Sequence, residues 1–430
     1  MINKDPVLVV ELNEFNLELL RRAADAFGLR HLQRILEFPC GTTLADQEHE
    51  HQGLDPWVQW VSVHTESTSQ EHGIIRLGDV PRLKKRQIWE RLGDAGWTTG
   101  VWGVMNASRN NASNNLFFVA DPWTFSQAPF PEQLGLFLSL PGYFAKNYLD
   151  LSRWRIIGAA LRTGWYLLRH LPLRQMLSDA GFLLRSLTGV RAGTVFLFCA
   201  FELLSVRVFA RFRAAHRPDA NFIFINCIAH FQHHDWNAGA GLDKTAEFVF
   251  SAVDRMLSIL LPPEGAPGRI LVLNGLSQRN VSGEHLYCYR QINPARFLKR
   301  LDLQFQRIEQ CMTSDAHVFF ATAADRQRAV ELLSSATVNG KRAFDVEPDP
   351  QDGLKLFYQV AYWDEAAAGS LLVFAGREIP FLDEFGIHAK RTGAHVPEGT
   401  YLAHGIDMPD RLANADVLRH IWPVDAAPAH

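Results

Sequence analysis

The sequence predicts an α/β fold in which a mostly parallel, doubly wound sheet is flanked by helices. Three short apolar runs predict its central strands: Val7–Leu12, Phe222–Ile225 and Arg269–Gly275. Near-continuous runs of this kind are typical of parallel strands that are buried on both faces. Stretches with helical periodicity lie between the strands, and that alternation indicates a doubly wound sheet. A cap of helices is expected to interrupt it.

Size and composition favour a globular protein. The 430 residues suit one large α/β domain with an insertion, or two domains. The hydrophobic share of 47% and the charged share of 21% are ordinary for a soluble chain, and the net charge of −3 argues against a general binder of nucleic acids. The five cysteines show no CxxC spacing and are expected to be reduced thiols. We expect no signal peptide and a cytoplasmic location.

The first predicted strand leads into a polar segment, Glu11-Leu-Asn-Glu-Phe-Asn16. Asn16 is expected to cap a helix that runs from Leu17 to Phe27. A carboxylate at the tip of a central strand is well placed to hold a metal ion. Glu11 is therefore a candidate metal ligand and catalytic residue, and Asn13 is a candidate substrate-binding residue. The alternative is that Glu11 or Glu14 only faces solvent at a strand end.

The pair Asp55-Pro56 is a turn signal that predicts a helix with Pro56 at its first position. The N-terminus of such a helix presents free amides to an anion. An amphipathic helix is predicted over Lys84–Gly96, followed by strands at Thr98–Val104 and near Phe117. This alternation continues the doubly wound pattern.

Residues 131–216 are predicted to form the inserted helical cap, because apolar residues recur there with helical periods. Residues 146–213 hold eleven Lys and Arg residues against three acidic ones. Three interpretations of this basic segment stay open: a solvated face, contact with an anionic membrane surface, and a funnel for an anionic substrate. The funnel is ranked just above the membrane contact, which would place the protein at the inner face of the membrane.

Three histidines and an aspartate follow the strand Phe222–Ile225 within a few residues, namely His230, His233, His234 and Asp235. The carboxyl end of a strand is where α/β enzymes commonly place their chemistry, and imidazoles and carboxylates are metal ligands. For any single histidine, the alternative is a hydrogen-bonded residue near the surface.

A further candidate ligand is His395, which lies in a predicted loop between Gly393 and Gly399. The alternative is a histidine that stabilises the turn. Arg391, at the start of the same segment, is a candidate substrate-binding residue. The sequence contains no P-loop, GxSxG or HExxH motif.

Three segments resemble motifs of the alkaline phosphatase-like superfamily, in its type I phosphodiesterase and nucleotide pyrophosphatase branch. They are Trp60-Val-Ser-Val-His-Thr-Glu66 with His72-Gly-Ile74, Gln232-His-His-Asp-Trp236, and Gly393-Ala-His-Val-Pro-Glu-Gly399 with Gly405. In order, they span most of the chain outside the insert. The resemblance implies an alkaline phosphatase-like core, whose members use two adjacent divalent metals to activate a Thr or Ser nucleophile against a phosphate or sulfate ester.

Position by position, the resemblance implies that His233 and His395 are metal ligands and that Glu11 replaces a first-strand aspartate. Ala229 occupies the aspartate position of the DxxQH motif, and the adjacent His230 is a candidate substitute ligand. These matches cover only part of a two-metal ligand set.

Other positions depart from the family pattern. Gly275 and Leu276 stand where the family has an Asp-His pair, and Pro56, next to Asp55, stands at the nucleophile position. We therefore expect one metal ion rather than two, with zinc preferred and manganese or iron as alternatives. Asp55 is the candidate catalytic base or nucleophile.

Three functions follow as hypotheses. The first is a metal-dependent hydrolase or transferase acting on a phosphate or sulfate ester of an anionic, lipid-linked or sugar-linked substrate. The segment Phe117–Trp123 resembles a fyvPDtF motif and suggests a setting in surface-polysaccharide biosynthesis. The others are a catalytically degenerate binding or scaffold protein on the same fold, and glycosyl transfer on that fold.

Overall fold

A computed structural model describes residues 5–46, 54–110, 112–147, 151–190, 193–237, 242–310 and 314–422. The chain divides into two units, of which the first comprises Met1–Arg279 with Gly393–His430 and the second comprises Asn280–Thr392. The segment predicted as an insert, residues 131–216, falls within the first unit.

The helices are α1 Leu17–Phe27, α2 Arg30–Leu36, α3 Pro56–Thr65, α4 Ser69–His72, α5 Ile88–Asp94, α6 Leu134–Phe137, α7 Ser139–Asn147, α8 Arg153–His170, α9 Leu173–Ser186, α10 Thr194–His216, α11 Cys227–His234, α12 Lys244–Leu260, α13 Pro294–Arg300, α14 Ala323–Ser334 and α15 Phe381–Glu384. The strands are β1 Val7–Leu12, β2 Cys40–Leu44, β3 Thr99–Val104, β4 Asn115–Ala120, β5 Ala220–Ile225, β6 Arg269–Leu273, β7 Ser277–Asn280, β8 Leu286–Gln291, β9 Arg307–Gln310, β10 Asp315–Phe319, β11 Thr337–Val338, β12 Lys341–Arg342, β13 Phe344–Pro348, β14 Lys355–Val360, β15 Leu371–Phe374, β16 Arg377–Pro380, β17 Phe385–Arg391, β18 Gly393–Val396, β19 Glu398–His404 and β20 Arg411–Ala413.

The main sheet of the first unit has, among the described residues, the strand order β20-β2-β19-β6-β1-β5-β3-β4. The strands from β6 to β4 are parallel neighbours, and β2 pairs in parallel with β20. β19 runs antiparallel to both β6 and β2. This confirms the predicted fold class, a mostly parallel α/β sheet flanked by helices.

The first strand shows why helices cover both faces of this sheet. Successive side chains of a strand point to opposite faces. Val7 and Val9 pack in a layer that includes Trp60 of α3, whereas Leu8 and Val10 pack in a second layer formed with α1, α10 and α12. Both layers are apolar, so the central strand is buried on both faces.

The segment predicted as a helical cap forms α6 to α10. Leu203, Val206 and Phe209 of α10 are buried in the main core. By contrast, α8 and α9 expose much of their apolar surface.

A buried aspartate on α9, Asp179, ties three helices of the first unit together. Its carboxylate accepts hydrogen bonds from Arg207 on α10 at 2.8 and 3.0 Å and from Arg255 on α12 at 2.8 Å. Its side chain is 2% exposed, so the loss of this charge leaves two arginines without their partner. Both arginines reach solvent in part, which limits the cost.

We therefore expect Asp179→Ala to lower the free energy of unfolding by about 2 kcal/mol. Urea denaturation measures this, with Glu247→Ala as the matched control, because it removes a half-exposed carboxylate that is paired with the exposed Lys244. Equal stability of the two variants would contradict the bridging role.

The second unit is a mixture of strands and helices. β13, β14, β10 and β9 form one antiparallel sheet, and β12, β11, β15 and β16 form another. Phe297, Tyr358 and Phe385 lie in its hydrophobic core.

Candidate metal centre

The histidine-rich stretch after β5 forms a helix, α11, with His233 in its last turn. Its first amides are held by Glu202, a partly buried residue of α10. The Glu202 carboxylate accepts from the backbone N–H of Asn226 at 2.7 Å and of Cys227 at 3.0 Å. Amides at a helix start have no partner within the helix, so this carboxylate fixes where α11 begins.

Glu14 lies just beyond β1 with a φ of 57°, in the left-handed region that non-glycine residues rarely adopt. Gln232 of α11 holds the surrounding backbone. Its Nε2 donates to the carbonyl of Glu14 at 2.8 Å, and its Oε1 accepts from the N–H of Asn16 at 2.9 Å. The conformation of Glu14 and the position of α11 are therefore fixed together.

Glu14, His233 and His395 form a compact cluster of possible metal ligands. Glu14 Oε2 lies 2.9 Å from His233 Nε2 and 3.0 Å from His395 Nε2, and the two nitrogens are 3.3 Å apart. Among the described residues, these three are the group of side chains of ligand type whose donor atoms lie close enough together to hold one metal ion.

The hydrogen bonds around His395 test whether the cluster suits a cation. His395 Nδ1 donates to the backbone carbonyl of Leu54. A neutral imidazole has one N–H, so His395 Nε2 then presents a lone pair towards His233 and Glu14. Three converging electron-pair donors suit a cation, and donor atoms around tetrahedral zinc lie about 3.3 Å apart. The residues fit a divalent ion, and the Leu54 carbonyl is a usual outer partner of a metal-bound histidine.

The carboxylate of Glu14 is oriented by two amides. Asn13 Nδ2 donates to Glu14 Oε1 at 2.8 Å, and Gln278 Nε2 donates to Oε2. Trp60 Nε1 donates to Asn13 Oδ1 at 2.7 Å and so holds Asn13 in turn. Burial opposes ionisation, but the positive charge of the two neighbouring histidines, which they carry only while both ring nitrogens hold protons and no ion is bound, outweighs it and holds the pKa of Glu14 well below its usual range. The carboxylate is thus ionised, as a metal ligand must be.

His395 lies in strand β18 rather than in the predicted loop. β18 pairs with β7, and its first residue, Gly393, lies close to the backbone of Gln232 in α11. A Cβ atom at Gly393 would lie 2.6 Å from the carbonyl oxygen of Gln232 and closer still to Gln278 Oε1. The glycine therefore serves close packing of the strand that carries His395.

Glu11, which was predicted as a ligand, lies outside this cluster. Its Oε1 atom is 2.8 Å from His64 Nε2, and both side chains are almost fully buried. The ring of His64 lies against those of Trp60 and Trp89. The structure brings Glu14, three residues later, to the two histidines instead.

Among the described residues, none of the other predicted site residues belongs to the three-donor group. His230 is outside the three-donor group, and its ring stacks on Phe198 with centroids 3.7 Å apart. Asp55 precedes α3, and its side chain does not cap that helix. Arg391 belongs to the second unit, where it lies over the ring of Trp363. Asn13 contacts Glu14 directly, as described above.

Three residues of the centre were missed as functional residues in the sequence. The sequence offers Glu14, a second carboxylate in the strand-end segment, only as a residue that faces solvent. Gln278 and Glu202 carried no pattern that points to this centre, because both act through long-range hydrogen bonds. Only the tertiary structure brings them there.

Glu202 also predicts a pH dependence of stability. Burial raises its pKa from the ordinary 4.5 to about 7. Between these pH values Glu202 ionises in the unfolded chain but stays protonated in the folded chain. Its contribution to the free energy of unfolding, which is fully present below pH 4.5, is therefore lost as the pH rises to 7. The loss is about 3 kcal/mol.

Glu202→Gln removes the titration, so we expect the difference in unfolding free energy between the wild type and this variant to change by about 3 kcal/mol from pH 4.5 to pH 7. Urea denaturation at both pH values measures it. A difference that is independent of pH would show that Glu202 is ionised in the folded protein.

No protein-family model and no curated protein matches the sequence. The chain is similar to several solved structures. Phosphonoacetate hydrolase from Sinorhizobium meliloti, in complex with phosphonoacetate, is 14% identical with a TM-score of 0.47, over 98% of this chain and 96% of that one. An inactive murine ectonucleotide pyrophosphatase/phosphodiesterase 5, in complex with AMP, is 11% identical with a TM-score of 0.47, over 99% and 97%.

A mutant of the alkaline phosphatase PafA is 10% identical with a TM-score of 0.46, over 97% of this chain and 95% of that one. At these identities and TM-scores the neighbours say nothing of the reaction of this chain.

Proposed function

We propose that the protein is a metal-dependent hydrolase or transferase that acts on a phosphate or sulfate ester. The convergence of Glu14 Oε2 with His233 Nε2 and His395 Nε2 supports this proposal. Two imidazoles and a carboxylate are the ligand set of catalytic zinc sites that keep a fourth position open. Zinc is the ion that we propose, with manganese or iron as alternatives.

The residues of the chain preorganise this centre before any ion binds. The Leu54 carbonyl holds the ring of His395, and Asn13 holds the Glu14 carboxylate. When bound, a divalent ion would polarise an oxygen of the ester. Outer hydrogen bonds of this kind orient the ligands, which is why they matter for affinity.

The start of α3 is proposed as the place where the anionic group of the substrate binds. Leu54, which contacts His395, precedes Pro56 at the first position of α3 by only two residues. The N-terminus of a helix carries partial positive charge, which favours phosphate or sulfate oxygens. An anionic substrate would therefore lie between the cluster and the helix.

Asp55, between Leu54 and Pro56, is proposed as the base that deprotonates the attacking hydroxyl or water, or as the nucleophile itself. We expect Asp55→Asn to lower kcat for a nitrophenyl ester about 100-fold, since a positioned base contributes this much. Assays would use nitrophenyl phosphate, bis-nitrophenyl phosphate and nitrophenyl sulfate with added zinc or manganese. The exposed Glu71→Gln is the control. If Asp55→Asn hydrolysed these esters at the wild-type rate, Asp55 would be neither the base nor the nucleophile.

A second candidate is a binding protein on the same fold, which the end of β6 favours. Gly275 stands where the resemblance implies a metal-binding side chain, and a Cβ atom there would lie 3.1 Å from the ring of Trp60. The space for that ligand is thus occupied by an indole. Tight binding of an ester by metal-loaded protein, without turnover, would support this candidate over the enzyme.

The identity of the substrate stays a prediction. A sugar-linked or lipid-linked phosphate is consistent with the proposed chemistry. Incubation with nucleotide sugars, followed by mass analysis of products, distinguishes glycosyl transfer from ester hydrolysis.

A further inference from the structure

Helix α8 presents an apolar stripe to solvent. Trp154, Ile157, Leu161, Trp165 and Leu168 follow one another at spacings of three or four residues, which places them on one helix face. All five are exposed, and Trp154 is 82% exposed and Leu161 69%. Large apolar side chains in a continuous exposed stripe mark an interaction surface.

The opposite face of α8 is already used inside the protein. Ala159, Thr163, Tyr166 and Leu167 are buried there. Helix α8 is therefore apolar on two faces, but only one of these faces packs against the rest of the first unit. The second face has the composition of a buried surface without a covering element among the described residues.

Helix α9 repeats this pattern. Leu173, Leu177 and Leu184 lie on one of its faces and each is more than half exposed. Leu187, directly after the helix, continues the same spacing and is also exposed.

The charges that flank these stripes have one sign. Residues 151–190 contain six arginines, all of them exposed, and their single acid is the buried Asp179. Asp179 is neutralised by two arginines of other helices. The exposed surface of α8 and α9 therefore combines tryptophan and leucine with uncompensated positive charge.

We propose that α8, together with α9, docks on the surface of an anionic phospholipid bilayer. An amphipathic helix with Trp and Leu on one face and arginines beside them is the type that lies in the interface, with its apolar face at the boundary of headgroups and acyl chains. Arginines next to the stripe complement lipid phosphates, and tryptophan suits this boundary because its ring is amphipathic. Neither the ion nor the ester chemistry proposed above is needed for this contact.

The structure also bears on the mode of contact. Among the described residues, no helix is both long and apolar enough to cross a membrane. The docking proposed here is one in which the helix lies along the surface.

Flotation of the full chain with vesicles tests the proposal. Vesicles of phosphatidylcholine alone are compared with vesicles that contain phosphatidylglycerol as well. We expect flotation with the anionic vesicles only, and a loss of at least about tenfold in partitioning for Trp154→Ser combined with Trp165→Ser. Arg162→Glu, Arg169→Glu and Arg174→Glu together are expected to cause a similar loss.

Two sets of matched controls test whether the loss of flotation is specific to α8 and α9 or follows from the loss of any exposed apolar or basic residue. Ile387→Ser changes an exposed apolar residue of the second unit, and Arg22→Glu, Lys299→Glu and Arg328→Glu change three exposed cations elsewhere. Both are expected to float as the wild type does. Circular dichroism on heating shows that each variant is folded, and His233→Ala, which removes a metal ligand, is expected to float normally.

Each other outcome overturns the proposal. Equal flotation with neutral vesicles would contradict the role of the arginines. A chain that does not float, but self-associates in a manner lost in the double tryptophan variant, would show that a second copy covers the stripe. A monomer that does not float with either vesicle would show that the stripe does not bind lipid.

Discussion

Glu14→Gln is expected to abolish metal binding, whereas Glu11→Gln is expected to leave it unchanged. Glu14 supplies one of three donor atoms, and its replacement by an amide removes the charge that offsets the ion. Loss of even an outer partner of a metal ligand costs 10- to 100-fold in affinity, so loss of a ligand is expected to cost more than 100-fold. Zinc titration followed by calorimetry measures this difference.

The Glu11 variant is a sharp control because it is also a buried carboxylate from the same segment. Its partner is His64, at 2.8 Å, and glutamine preserves that hydrogen bond. The reverse result, with metal lost in Glu11→Gln and kept in Glu14→Gln, would move the centre to Glu11 and His64. Turnover of a nitrophenyl ester is expected to follow metal affinity in both variants.

Gly393→Ala is expected to lower the free energy of unfolding by about 4 kcal/mol and to weaken metal binding about 100-fold. Its new methyl group would overlap the carbonyl of Gln232 and the amide of Gln278 at once. Relief of this overlap must displace either β18, which carries His395, or the amide that orients Glu14. Both routes disturb the three-donor cluster.

Urea denaturation and zinc titration measure the two effects of this substitution. Gly283→Ala is the matched control, since a Cβ atom at Gly283 would meet nothing within 4 Å. If Gly393→Ala kept wild-type stability and metal affinity, the close approach of β18 to α11 would be wrong.

Local features of the first unit were predictable because they depend on neighbours in sequence. β1 spans Val7–Leu12, α1 begins after Asn16, and the Asn16 side chain accepts from the N–H of Leu19 at 2.9 Å, as the capping pattern predicts. α3 begins at Pro56, where the turn signal predicts it. Propensity and capping decide such boundaries.

The choice between Glu11 and Glu14 was not predictable in this way. Glu11 belongs to the strand and faces the layer that holds His64, as strand alternation requires. Glu14 reaches the histidines only because its backbone adopts a left-handed conformation, which Gln232 stabilises from α11. That hydrogen bond joins residues more than two hundred positions apart, so no local pattern reveals it.

The exposure of α8 was also beyond the sequence. Its leucines and tryptophans recur at helical spacing, which is equally typical of a buried helix. Only the structure shows that Trp154 and Trp165 point to solvent while Tyr166 is buried. In the sequence, the substrate funnel ranks above the membrane contact only because the basic segment comes just before the strand that leads into the histidines.

Anomalous X-ray diffraction from crystals grown with zinc tests the central claim most directly, because it locates each ion and its ligands. We predict one strong zinc peak per chain, coordinated by Glu14, His233 and His395. A zinc peak bound by other side chains, or no peak at this cluster in protein saturated with zinc, would contradict the proposed centre.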